Sequence, residues 1–145
     1  MNLPAIINHN GVFLLDALVI QALKAAAQNS ELRRARICLH NSPNSSVQEM
    51  IIALCKDSMV STHRHPIGKP ESYHLIEGEM DVNIYNDLGF RSQVINLRQN
   101  QARMYRILGG VWHQPIAISN IAIYHEVYTG PFNKGLDVEY LSIQN

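Results

Sequence analysis

This 145-residue sequence predicts an all-β body that carries one helix near its amino-terminal end. Three observations lead there. Residues 14–26 hold the single strong helical pattern. Beyond residue 35, short runs rich in β-branched and aromatic residues recur between Gly, Pro, Asn and Asp punctuation. No helix-like stretch separates those runs, which specifies an antiparallel sandwich or barrel and not a βαβ arrangement.

The helix comes first in the chain. Apolar residues at Leu15, Leu18, Ala22 and Ala25 form a stripe at helical spacing, while Gln21, Lys24 and Gln28 fall elsewhere. Three consecutive alanines favour the helix, and Asn29-Ser30 ends it. The strand runs are 35–40, 47–55, 60–65, 72–76, 80–85, 90–97, 104–108, 116–119, 121–128 and 138–143. Asn86-Asp87-Leu88-Gly89 reads as a hairpin loop in which Gly89 takes positive φ. With no repeat or linker, the chain is expected to be one compact domain. Residues 1–34 form an extension whose helix packs on the body, and residues 35–145 form the body itself.

Composition removes several function classes. Twelve basic residues balance twelve acidic ones, so the footprint of a nucleic-acid binder is missing. The short cluster of Arg33, Arg34 and Arg36 reads as a solvated edge beside the helix. No apolar run has the length to cross a bilayer, and MNLPAIINHNG lacks the basic start of a secretory signal. A cytoplasmic protein is therefore expected. Cys38 and Cys55 each lie in an apolar run and read as buried free thiols.

The chemistry is concentrated in STHRHPIGKPESYHLIEG, residues 61–78. On a strand, positions i and i+2 point the same way, so His63 and His65 share a face. Taken alone the pair also suits a solvated surface strand. Pro66-Ile-Gly-Lys-Pro70 then breaks the strand, and pairing across that turn would bring Glu71 beside the two imidazoles. Two imidazoles and a carboxylate suit Fe, Mn, Co, Ni or Zn. A fourth candidate is His113, after the Gly109-Gly110 pair and before Pro115, which is expected to end pairing there. His74 lies on the face opposite Tyr73. His9, His40 and His125 read as ordinary polar or hydrogen-bonded histidines, Arg64 as a salt-bridging residue and Trp112 as a packing anchor. Tyr73, Tyr105, Gln48, Glu126 and Tyr128 are candidates to line the mouth of such a site, although the sequence does not fix which way the last four face, with Tyr73, Tyr105 and Glu126 as acid–base candidates.

HRHPIGKPESYHLIEG followed by GGVWH resembles the two metal motifs of the cupin superfamily. More narrowly, the chain is similar to small WbuC-type cupins found with bacterial O-antigen and polysaccharide biosynthesis genes. The likeness runs from the helix and RRAR through Gln48 to the tail Glu126-Val-Tyr-Thr-Gly-Pro-Phe132. It implies a cupin jelly-roll, a double-stranded β-helix barrel, with His63, His65, Glu71 and His113 as ligands of one divalent transition metal. It also implies a homodimer. Such a centre has open positions for a hydroxy-carbonyl or diol fragment, which suits a metal-dependent isomerase, epimerase or lyase acting on a sugar-derived small molecule. Two alternatives stay open: an Fe(II) dioxygenase, and a non-catalytic carbohydrate-binding or regulatory module. No nucleic acid or membrane partner is expected.

Overall fold

The computed structural model describes residues 2–4 and 11–141 of the chain. In order, the elements are β1 (Asn2–Pro4), α1 (Ala17–Asn29), β2 (Arg34–Cys38), β3 (Val47–Cys55), β4 (His63–Arg64), β5 (Glu71–Glu77), β6 (Met80–Tyr85), β7 (Arg91–Leu97), β8 (Met104–Ile107), β9 (Trp112–Ala117), β10 (Ile121–Thr129), α2 (Lys134–Asp137) and β11 (Glu139–Tyr140). The strands form two sheets, β1-β2-β3-β10-β5-β8 and β11-β4-β9-β6-β7. Among the described residues only β1 and β2 pair in parallel. The two sheets face each other as a jelly-roll, with α1 laid on its outside. No helix among the described residues is long and apolar enough to cross a membrane.

Alternation along the strands divides the apolar residues between two cores. Between the sheets lie Leu54, Leu75, Met80, Val82, Leu97 and Ala122, each at most 5% exposed. The opposite face of β2 and β3 presents Ala35, Ile37, Ile51 and Ala53 to Leu23 and Ala27 of α1, both fully buried. Burying Leu23 alone stabilises the docked helix by about 2 kcal/mol.

The helix forms, but its phase differs from the expected stripe. Leu18, Ala22 and Ala25 are exposed, and the buried line runs through Leu23 and Ala27 with Val19, Ile20 and Ala26 beside it. Asp16 caps the helix by accepting from the Val19 amide at 2.9 Å, so the first turn begins at Ala17. In an alanine-rich segment several faces are apolar, and the sheet surface selects among them. Lys24 then pairs with Glu77 at the edge of that contact.

Three other expectations need correction. Strand β4 comprises only His63–Arg64, because residues 58–62 run as loop. The strand expected at 116–119 is β9, Trp112–Ala117, so His113 lies within a strand, and Pro115 does not end the pairing but sits opposite Val82. Beyond His113 strand β4 no longer flanks β9, so the amide that Pro115 lacks has no ladder partner to lose on that side. Finally, β4 does not pair with β5. The two lie in different sheets, and Glu71 approaches the histidines across the barrel interior.

Candidate metal centre

His63 and His113 are direct cross-strand partners in the β4–β9 ladder, and their ring centroids are 4.3 Å apart. His65 follows on the same face, with ring centroids 5.3 Å from His63 and 5.7 Å from His113. The three residues can each offer a ligand atom, all within 4.8 Å of one another. Two glycines permit the local backbone. Gly110 has φ +89° and donates its amide to the His65 carbonyl at 2.7 Å. A Cβ on Gly109 would lie 1.8 Å from the Pro66 carbonyl oxygen, so the two loops can meet only where that side chain is absent.

Hydrogen bonds fix which nitrogen each ring presents. Nδ1 lies 2.9 Å from the Ser61 carbonyl oxygen in His63, 2.7 Å from that of Asp137 in His65, and 2.9 Å from that of Val111 in His113. A carbonyl only accepts, so each Nδ1 carries the proton and donates. In the neutral ring each Nε2 is then left with a lone pair, the arrangement that metal-ligating histidines adopt.

Glu71 reaches the cluster from the other sheet. Its Oε1 lies 2.6 Å from His113 Nε2 and its Oε2 lies 3.1 Å from His65 Nε2. Neither contact has hydrogen-bond angles, so among the described residues both carboxylate oxygens and His113 Nε2 are buried without a hydrogen-bonding partner. Three converging donors left unsatisfied inside a barrel fit a bound cation. Burial by itself would raise the Glu71 carboxyl, but His113 and His65 outweigh it and hold the group below the usual carboxylate range. Burial, reinforced by His113, pushes His63 down to about 4 and keeps it neutral. His65 moves the other way: burial opposes its charge, and the Glu71 contact overcomes burial.

Register places the remaining candidates in rows across the inner face of the larger sheet. Gln48, Tyr128, Glu71 and Ile107 share one row, and Met50, Glu126, Tyr73 and Tyr105 share the next. The Glu126 carboxyl is pushed up to about 8, first by burial and then by the charge of Glu71, while His65 and Arg36 act against the shift. Tyr105 is buried with an unpartnered hydroxyl and stacks edge-on against Tyr73 at 4.9 Å. The Gln48 amide is already committed, since its Nε2 donates to the carbonyls of Ser42, Pro43 and Ser45.

Outside this centre, His74 faces outward and stacks on His125, which bonds Glu49 at 2.8 Å. His40 Nδ1 bonds the main chain of Glu49, and His9 lies outside the described residues. Arg64 pairs with Glu139 and Asp87 and covers Trp112. Cys38 and Cys55 are free thiols. Two surface hollows of about 470 and 430 Å³ lie elsewhere, one beside Glu79 and Arg98, the other beside Arg33 and Asp57. Neither includes the histidines, and neither gathers comparable chemistry. Sequence reasoning did not single out Asp137, whose carbonyl accepts from His65, or Lys69, which pairs with Asp137. Nothing in their spacing joins them, because Asp137 returns to β4 from the far end of the chain.

The profile of a domain family of unknown function, DUF6016, matches residues 15–97, more than half of the chain. The chain belongs to this family. The matched part of the DUF6016 chain contains His63, His65 and Glu71 but stops before His113. No match is found among curated proteins. Among solved structures, the DUF6016 chain is similar to oxalate oxidase in complex with the substrate analogue glycolate (TM-score 0.59, 15% identity, 79% of this chain and 58% of that one). It is also similar to protein SO0799 from Shewanella oneidensis (TM-score 0.57, 11% identity, 68% of this chain and 64% of that one). A third is oxalate decarboxylase from Bacillus subtilis (TM-score 0.57, 16% identity, 74% of this chain and 27% of that one). The DUF6016 chain thus spans less than two thirds of the length of each. These likenesses establish the cupin fold, and the histidine cluster makes it a fold with a metal-binding arrangement.

Proposed function

We propose that this cupin holds one divalent transition metal through His63, His65, His113 and Glu71, and that it isomerises, epimerises or eliminates from a small hydroxy-carbonyl substrate. The observation that carries the reading is the convergence of three imidazoles whose Nδ1 protons are committed to main-chain carbonyls. A bound divalent ion supplies a Lewis acid that polarises a carbonyl and renders the neighbouring C–H acidic. Three neutral rings and one carboxylate satisfy only part of an octahedral shell, leaving room for substrate oxygens.

The chain's own contribution is proton handling. Glu126, one row from Glu71, is a carboxyl held near neutrality by burial, as a group that both accepts and returns a proton needs to be. Tyr73 lies directly opposite it in the β10–β5 ladder, and Tyr105 offers an unpartnered hydroxyl to a substrate oxygen. The tyrosines Tyr73, Tyr105 and Tyr124 are held protonated well above the ordinary range by burial, so they act as donors and as walls against water. A sugar-derived substrate in surface polysaccharide biosynthesis is supported by the sequence likeness to WbuC-type cupins, which is an association with gene company and not with geometry.

The test is elemental analysis of protein purified without chelator or affinity metal, followed by a screen of keto-sugars and nucleotide-sugars in D₂O for isomerised, epimerised or eliminated products that carry deuterium at carbon. One metal per chain and deuterium at carbon are expected. Protein that binds no divalent metal overturns the reading. Iron together with oxygen consumption replaces it with a dioxygenase.

A further inference from the structure

His65 stands just past the last residue of β4, so the ladder does not fix its ring. The ring is aimed by its Nδ1 proton, which goes to the main-chain oxygen of Asp137 at 2.7 Å. That carbonyl belongs to the segment after β10, which doubles back so that β11 pairs with β4 at Glu139–Arg64 and Tyr140–His63. Asp137 is 3% exposed, and its side chain is anchored at both oxygens. Oδ1 accepts from Lys69 Nζ at 2.8 Å, and Oδ2 accepts from the Asn133 amide at 2.6 Å. Lys69 Nζ also donates to the Pro131 carbonyl at 2.5 Å. One ammonium, on the turn between β4 and β5, therefore holds both ends of the 131–137 segment. The Tyr128 ring closes the remaining side, 4.4 Å from His65.

We propose that Lys69 and Asp137 are positioning residues for the metal centre: their ion pair sets the place of the Asp137 carbonyl, and that carbonyl sets the tautomer and aim of His65. This rests on the reading of His65 as a ligand. Removing the ammonium leaves the Asp137 carboxylate buried without its countercharge, and such a group moves toward water. The carbonyl moves with it, and His65 loses the acceptor that keeps its lone pair on Nε2. Losing an outer partner of this kind lowers metal affinity by about 10–100-fold.

The experiment compares the parent with Lys69→Met, Lys69→Arg and a remote control, Asp57→Asn, which breaks the exposed pair with Arg33. Ring-nitrogen NMR of the metal-free proteins, at alkaline pH where the imidazoles are neutral, reads the His65 tautomer. Competition with a chelator reads the cobalt(II) dissociation constant. The parent, Lys69→Arg and Asp57→Asn are expected to show a single His65 tautomer, protonated at Nδ1, and matching affinities. Lys69→Met is expected to show mixed tautomers and cobalt binding weakened about 10–100-fold. Should Lys69→Met not fold, Lys69→Gln carries the same readings. A neutral variant that keeps the single tautomer and the parent's affinity overturns the proposal. A parent that binds no cobalt overturns the metal reading instead, and the tautomer measurement still decides the positioning role.

Discussion

Glu126 lies directly opposite Tyr73 in the β10–β5 ladder, next to the row in which Tyr128 faces Glu71. The two carboxylates therefore project from the same sheet face, two residue positions apart on neighbouring strands, yet their environments push them in opposite directions. One is held ionised beside the histidines and the other near neutral among tyrosines. On the proposed reading, the first serves the cation and the second the proton.

Replacing Glu126 by Gln tests that division. The amide keeps the shape of the side chain but cannot take a proton. Metal content is expected to match the parent, while deuterium incorporation into substrate falls about 100-fold or more. Equal turnover in E126Q would transfer the proton role to Tyr73 or Tyr105.

Glu71→Gln separates charge from shape at the centre itself. The amide retains one oxygen near His113 but removes the negative charge that offsets a divalent ion. Metal affinity is expected to fall at least about tenfold, the scale of losing even an outer partner. Thermal unfolding of the metal-free protein is expected to shift much less. Retention of the parent's full metal content, measured by elemental analysis after dialysis, would remove Glu71 from the ligand set.

How legible this centre was in the sequence depended on the range of the interaction. His63 and His65 share a face because a strand repeats every two residues, and that rule needs no tertiary information. A turn between two strands suggests pairing, which would bring Glu71 beside the histidines, and cannot reveal that the strands enter different sheets, so that Glu71 approaches from across the interior. His113 was expected after a glycine turn, yet it belongs to a strand with a proline inside it, where local rules favour an end. The helix was legible as a helix, but its buried face was not, because Leu18, Val19, Ile20, Ala22 and Leu23 offer several apolar stripes. Lys69 and Asp137 meet only because the tail returns across β4, and no local pattern encodes that return.

Leu23→Ala probes the independence of the two cores. Leu23 is fully buried between α1 and the outer face of the larger sheet, while the histidines occupy the inner side. Truncation leaves a cavity and is expected to lower unfolding stability by about 2–5 kcal/mol. The metal dissociation constant is expected to stay within twofold or so, because the ladder separating the two cores is unbroken. A large affinity loss in a folded L23A protein would mean that helix docking shapes the centre.

His74 offers a pH test away from the centre. Its ring stacks on His125 at 5.4 Å, and its Nδ1 is buried without a hydrogen-bonding partner. Burial first, and then the neighbouring His125, lower its pKa from the ordinary 6.5. In the unfolded chain the ring titrates near that ordinary value, so below it the unfolded state binds the proton more readily than the folded one. The contribution of neutral His74 is therefore complete above about pH 6.5 and is lost as the pH falls toward its lower folded value. His63 slopes in the same direction, so the informative quantity is the difference between parent and variant. His74→Gln is expected to flatten part of the decline in melting temperature between neutral and mildly acidic pH, with metal content unchanged. Parallel melting curves for H74Q and the parent across that range would show that the outward ring does not feel its neighbour. A loss of metal in H74Q would instead mean that His74 faces the barrel interior, reversing the inward and outward assignment of β5.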